Sequence, residues 1–185
     1  MIKRTLSFVL LLSLPPAASA LDLESHPGYV DLSTLEQAIG GQAMLSLDFD
    51  RDALAGFLDA TGNADPQVAA LVDSVAQVQV RAFDLDAGQA EDVNARIADA
   101  ADELRAAGWG TLASVNDQES RIHVFMKTEG PYVVGLVGMF GADGKAGYVH
   151  VLGEIDAAKV MAAFLQHGQS LHQLFSAAKV EAEAP

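Results

Sequence analysis

The stretch RIHVFMKTEGPYVVGLVGMFGADGKAGYVHVLGEI, residues 121–155, decides the fold. It reads as three strands in succession, Arg121–Thr128, Tyr132–Phe140 and Ala146–Ile155. Asp143-Gly144 suits a type I′ turn, which pairs the last two strands antiparallel. Strand side chains alternate between the two faces of a sheet. Arg121, His123 and Lys127 therefore share one face of their strand, opposite Ile122, Val124 and Met126. Tyr148, His150 and Glu154 likewise oppose Val149, Val151 and Ile155.

Working outward, a further strand is predicted over Thr111–Asn116, preceded by a helix from about Ala90 to Ala107 with Val93, Ile97, Ala100 and Leu104 on one side. Gly108 fits the position just past that helix, with Trp109 placed for the accompanying apolar contact. Gln77–Leu85 alternates Val78, Val80 and Ala82 against Gln79 and Arg81, as a strand does. Earlier still, Ser33-Thr34-Leu35-Glu36 has the form of a capping box, and Gly40-Gly41 stops the short helix it opens. Ala43–Phe49 reads as the first strand. Asp50 caps a helix bearing Leu54, Phe57 and Leu58, and Asp65-Pro66 opens another bearing Val68, Leu71, Val72 and Val75. Beyond residue 155, Asp156 caps a final helix that turns Val160, Met161, Phe164, Leu165, Leu171, Leu174 and Phe175 inward, with Gly168 as a point of interruption, and residues 176–185 fray. The order α-β-α-α-β-α-β-β-β-β-α predicts a single α+β domain over residues 32–175: a mostly antiparallel sheet of five to six strands with helices packed on one face.

The first twenty residues stand apart from that domain. Lys3 and Arg4, the apolar Leu6–Leu14 run and Ala18-Ser19-Ala20 form a secretory signal peptide cleaved after Ala20, followed by a polar lead-in over 21–31. A periplasmic or secreted location follows, without membrane insertion after cleavage. The 185-residue chain has 11 basic and 25 acidic side chains, a formal charge of −14, and removal of the leader makes it more negative still. Nucleic acid and anionic membrane surfaces need clustered Lys or Arg, so neither is an expected partner. The absence of cysteine excludes disulfides, thiolate metal sites, cysteine nucleophiles and a lipid-bearing cysteine.

Most apparent motifs have plain structural readings. Gly135, Gly138, Gly141, Gly144 and Gly147 recur every third residue, but a phosphate loop would need glycine at Met139 and Ser or Thr at Ala146. Asp48, Asp50 and Asp52 have the spacing of a calcium loop, yet Ala53 stands where the sharp turn needs glycine. Gly168-Gln169-Ser170-Leu171-His172 lacks the second glycine of a nucleophile elbow, and His167 and His172 do not share a helix face. The arrangement that stands out is on the sheet. Arg81, Arg121, His123, Lys127, Tyr148 and His150 form one basic, histidine-bearing patch if their strand faces coincide, able to bind an anionic ligand or a partner. No catalytic residue, metal ligand or cofactor site is assigned.

SVAQVQVRAFD at 74–84, the helix after it, and Gly108-Trp109 leading into LASV resemble the bacterial domain of unknown function family 4252. The similarity runs from Asp31-Leu32-Ser33 to about Leu165. It implies a small exported envelope protein with no established catalytic residue or cofactor, and Arg81 matches the arginine of that family's strand motif. Two functions are foremost at this point, beside a structural role in the envelope. One is a non-catalytic protein-interaction or regulatory module in the periplasm, engaging an envelope protein through an open sheet face or strand edge. The other is a small-molecule binder or hydrolase that uses Arg81 as an anion anchor and His123 or His150 as acid or base.

Overall fold

The computed structural model describes residues 23–61, 71–117, 120–142 and 144–162. The hairpin predicted from 132–155 is the centre of the molecule. Strands β5 (Tyr132–Ala142) and β6 (Lys145–Asp156) pair antiparallel from Ala142↔Lys145 to Tyr132↔Asp156. Gly144, at φ 72°, supplies the left-handed turn conformation that this two-residue connection requires. On one side β4 (Ser120–Glu129) pairs with β5 and β3 (Gly110–Asn116) with β4. On the other, β2 (Val75–Asp84) pairs with β6 and β1 (Leu45–Asp50) with β2. The six strands form one sheet in the order β1-β2-β6-β5-β4-β3, and every neighbouring pair is antiparallel. The expected single-domain α+β class, with six strands, is the observed one.

Two helices cover one face of this sheet. Helix α1 spans Ser33–Ile39, α2 spans Arg51–Thr61, and α3 spans Ala90–Ala106. Val93, Ile97, Ala101 and Leu104 of α3 are buried together with Leu35 and Ile39 of α1, against Phe83, Phe125, Val137, Met139, Ala146 and Tyr148 of the sheet. Burying each large apolar side chain contributes roughly 1.5–3 kcal/mol, so this layer is the main source of stability. Gly135 and Gly141 let the layer close. A methyl group at Gly135 would lie 2.6 Å from Trp109 Cη2, and one at Gly141 would lie 2.9 Å from Ile97 Cδ1.

The helix ends partly follow the sequence reading. Gly108, at φ 81°, ends α3: its N–H donates to Arg105 O, and the Trp109 N–H donates to Leu104 O at 3.0 Å. This is the Schellman pairing, with Trp109 and Leu104 in one core cluster as its apolar contact. Asp50 Oδ1 accepts from the Ala53 N–H at 2.8 Å and caps α2 as expected. The capping box at Ser33 does not form. Leu32 holds the N-cap position without a side-chain bond, Asp31 Oδ1 accepts from the Ser33 N–H, and Glu36 is engaged elsewhere. The leader, the body of the helix opened by Asp65-Pro66, most of the final helix and the tail at 176–185 lie outside the described residues.

Candidate functional site

The strand register sorts the sheet into two faces, one row at a time. Ser46, Arg81, Tyr148, Met139, His123 and Ser114 are successive cross-strand partners in one row across all six strands. The next row of the same face runs Asp48, Gln79, His150, Val137, Phe125 and Thr111. Arg121 and Lys127 lie on this face as well, opposite Gly141 and Gly135. The six side chains singled out from the sequence therefore do share one face.

That face is the one the helices cover, which corrects the expectation of an open patch. Tyr148 is 1 % exposed, His150 4 % and His123 5 %. The physical reason is that Phe83, Ala146, Val137, Met139 and Phe125 alternate in the same phase as the polar residues, and they are what the apolar stripe of α3 needs to bury. The polar side chains are carried inward with them, and each must then find a partner there.

They find separate ones. Arg81 directs Nη2 at both carboxylate oxygens of Asp48, 3.0 and 2.9 Å away, while Nη1 donates to the carbonyls of Leu47 and Val80, each at 3.0 Å. Its Nε is 3.7 Å from Glu36 Oε1 of α1. The Tyr148 hydroxyl donates to that same Glu36 oxygen, and Gln79 Oε1 lies 3.3 Å from it. Burial and the adjoining Glu36 carboxylate push the Tyr148 hydroxyl to a more alkaline range than usual. Glu36, Arg81, Tyr148 and Asp48 thus lock α1 onto β1, β2 and β6. Every donor direction of the Arg81 head is already directed at a protein acceptor or ion partner.

The remaining members are dispersed. His150 Nε2 lies 3.0 Å from the Gly28 carbonyl of the lead-in, and burial lowers its pKa. His123 Nδ1 shares a 3.0 Å hydrogen bond with Ser114 Oγ, and its ring stacks on Phe125 at 6.1 Å. Desolvation and the Arg105 and Arg121 charges lower its pKa too. Lys127 Nζ donates to the Ala107 carbonyl at 2.6 Å, at the C-terminal end of α3. Strand β5 intervenes between the strands of His123 and His150 and the two lie in successive rows, so more than two strand spacings of about 4.8 Å separate them and the two histidines do not meet.

Sequence reasoning missed four of these partners. Glu36 looked like a capping residue and Asp48 like part of a calcium loop. Gln79 and Ser114 carried no signal beyond strand parity. Ser114 with His123 has two of the parts of a hydrolytic site, but His123 Nε2 has no hydrogen-bond partner among the described residues and so no carboxylate orients the ring. Among those residues no group of three or more His, Asp and Glu side chains is placed to hold a metal ion. The cleft between α1 and α3, about 300 Å³, is lined by Asp31, Thr34, Arg96, Asp99 and Glu103 among others, and by neither histidine.

The opposite face has a different character. Its rows read Leu47, Val80, Val149, Gly138, Val124 and Ala113, then Leu45, Ala82, Gly147, Phe140, Ile122 and Val115. Val78, Val151, Leu136 and Met126 belong to a third. No charged or hydrogen-bonding side chain interrupts them. Among the described residues α2 meets this face only at its β1 edge, where Phe57 is 6.0 Å from Phe49, and at one end Leu54 joins the small cluster of Val75, Val133, Ile155 and Val160. Val149, on a central strand, remains 37 % exposed, and Leu45 and Val115 at the two edges are 40 % and 47 % exposed. Leu71 packs against the same cluster as Leu54, so the apolar side chains left most exposed on this face are Val149 and the edge residues Leu45 and Val115.

The molecule is thus an α+β domain with a polar lock beneath two helices and a charge-free sheet face on the other side. It belongs to the family described as domain of unknown function (DUF4252), whose model matches residues 44–163. No curated protein and no solved structure matches the chain.

Proposed function

We propose that this protein is an exported, non-catalytic interaction module of the bacterial envelope, and that the apolar sheet face is the surface that takes its partner. The observation that carries this reading is the run of three apolar rows across six strands with Val149 exposed at the centre. A matching apolar surface, such as the stripe of an amphipathic helix, is the partner chemistry that would bury it. The leader-like first twenty residues support export. The saturated contacts of Arg81 and Tyr148 support a scaffolding role for the polar face, and leave the alternative of anion binding there without Arg81 as its anchor.

The test is crosslinked capture of partners from envelope extract by the mature chain and by Val149→Asp. Val149 is exposed enough for the aspartate to be hydrated, so the variant should keep the wild-type circular dichroism spectrum and lose the stoichiometric partner. Recovery of the same partner in the same yield would refute the assignment of this face. Loss of the partner with Arg121→Ala instead would return the binding function to the polar face.

A further inference from the structure

We propose that His123 and Arg121 form a binding site for a small carboxylate, on the polar sheet face where the cover of α3 gives out beyond β4. The site is separate from the apolar face assigned to the partner. Three observations lead there. First, the fold leaves a buried nitrogen unused. His123 is 5 % exposed, Ser114 Oγ occupies its Nδ1 at 3.0 Å, and its Nε2 is buried with no hydrogen-bond partner among the described residues. Native folds keep few such atoms, and those they keep call for a partner from outside the chain. Asn94 Oδ1 is the other buried side-chain atom in that condition among the described residues. It lies directly over Gly141, the cross-strand neighbour of Arg121, so both unused atoms border the position of Arg121.

Second, the charge at this place is unbalanced. Arg81, Arg96 and Arg105 each reach a carboxylate of the fold. Arg121 is half-buried and forms no ion pair or hydrogen bond among the described residues, in a chain with 25 acidic side chains. It shares the face of His123 two residues away along β4, about 6.7 Å. The Arg105 guanidinium lies 5.3 Å over the Phe125 ring on which His123 stacks, but Asp102 neutralises it at 2.6 Å. One positive charge is therefore left over, which suits a carboxylate monoanion better than a phosphate dianion. In the complex Ser114 donates to Nδ1, the ring proton sits on Nε2 and is donated to one carboxylate oxygen, and Arg121 donates to the other. Burial and the Arg105 and Arg121 charges, opposed by Asp102, hold the free ring below its ordinary pKa, so it meets the ligand as a neutral donor at pH 7.

Third, the place is reachable. Helix α3 lies over β5 and β4, and Thr111, Ser114 and Asn116 of the edge strand β3 are exposed on this same face. They form an open shelf beside Arg121 and His123, from which a ligand of a few atoms can slip under the margin of α3.

The test is titration of the mature chain with acetate, chloride being exchanged out at constant ionic strength, and two-bond proton–nitrogen spectra of the histidine rings as readout. Saturable shifts are expected at His123, Ser114 and Arg121 and not at His150, with the proton of His123 on Nε2. The His123 titration should move to higher pH when acetate is bound, because a carboxylate beside Nε2 favours the protonated ring. Arg121→Ala should weaken binding about tenfold, and Arg121→Lys should restore part of it. Arg96→Ala removes an equal charge from the exposed side of α3 and should leave the affinity nearly unchanged; a loss equal to that in Arg121→Ala would overturn the site in favour of general charge attraction. Absence of saturable shifts up to about 0.1 M acetate, a hundredfold above the ~1 mM of a weak ligand, overturns the proposal and leaves Nε2 to a buried water. Sulfate binding as tightly as acetate overturns the assignment to a carboxylate.

Discussion

If the polar cluster under α1 is a structural lock, removing Arg81 should cost stability before it costs anything else. Arg81→Met keeps most of the aliphatic stem and deletes the guanidinium. The side chain is 15 % exposed, and its head donates to two backbone carbonyls and to both oxygens of Asp48. A hydrogen bond to a charged group contributes about 1.5–3 kcal/mol, and breaking a fully buried ion pair costs about 3–5 kcal/mol. Here the partners are partly wet, with Asp48 at 49 % and Glu36 at 35 % side-chain exposure, so water recovers much of the carboxylate solvation. The Leu47 and Val80 carbonyls stay in the sheet ladder and lose only a second donor. We expect a net loss of about 2–3 kcal/mol, below the range for a fully buried pair. For a domain of this size that is a fall in Tm of roughly 5–10 °C.

Urea titration followed by circular dichroism, with thermal melts alongside, measures it. The midpoint should move with an unchanged slope, since the same surface is exposed on unfolding. Glu36→Gln and Tyr148→Phe should each cost about 1–2 kcal/mol. The double variant should lose less than their sum, because both changes remove the same contact. A variant Arg81→Met within 0.5 kcal/mol of wild type would mean that these ion pairs act as exposed ones do, and the lock would have to be given up.

Acidification offers a second test. His123 and His150 both have pKa values lowered by burial, so the unfolded chain takes up protons first as pH falls below about 6.5. Their contribution is therefore intact above that pH and is lost progressively beneath it, by at most about 1.4 kcal/mol per pH unit for each histidine; denaturation midpoints in His150→Gln should show a shallower decline between pH 7 and 5. Gly135→Ala and Gly138→Ala should part company in the same assay. The first drives a methyl to 2.6 Å from Trp109 Cη2 and 2.7 Å from Gly28 O and should cost about 1–3 kcal/mol, while the second meets nothing and should be near neutral. Gly108→Ala, forced to φ 81°, should lose about 1–2 kcal/mol of α3 anchoring with no change in the Val149 face. Native-state amide exchange at Trp109 is the local readout.

The strands were legible because period-two alternation and turn chemistry are local. Asp143-Gly144, the valine-rich runs and the Gly108-Trp109 step each act within a few residues, and the six strands lie where they were expected. The assignment of faces is a different kind of fact. Alternation says that His123 opposes Val124 and that Tyr148 opposes Val149, but not which set meets the helices. The rule that polar residues face solvent pointed to the wrong side. What decides it is the third strand of the group: on β5, Val137 and Met139 are in phase with the histidines, while Gly138 is in phase with the valines. A helix layer gains more from Phe125, Val137, Met139 and Phe83 than from a row flattened at Gly138 and Gly147. The cost of taking Arg81 and Tyr148 inside is offset by Glu36, more than a hundred residues from Tyr148 in sequence and disguised as a capping residue. A pairing of that kind has no local signature. The same argument explains why the valine face is apolar throughout. The covered face can bury Arg81, Tyr148 and His150 because each reaches an acceptor or ion partner within the fold, whereas an all-apolar face makes no such demand. Specific contacts hold the covered face together, and the face proposed for binding is the one that needs none.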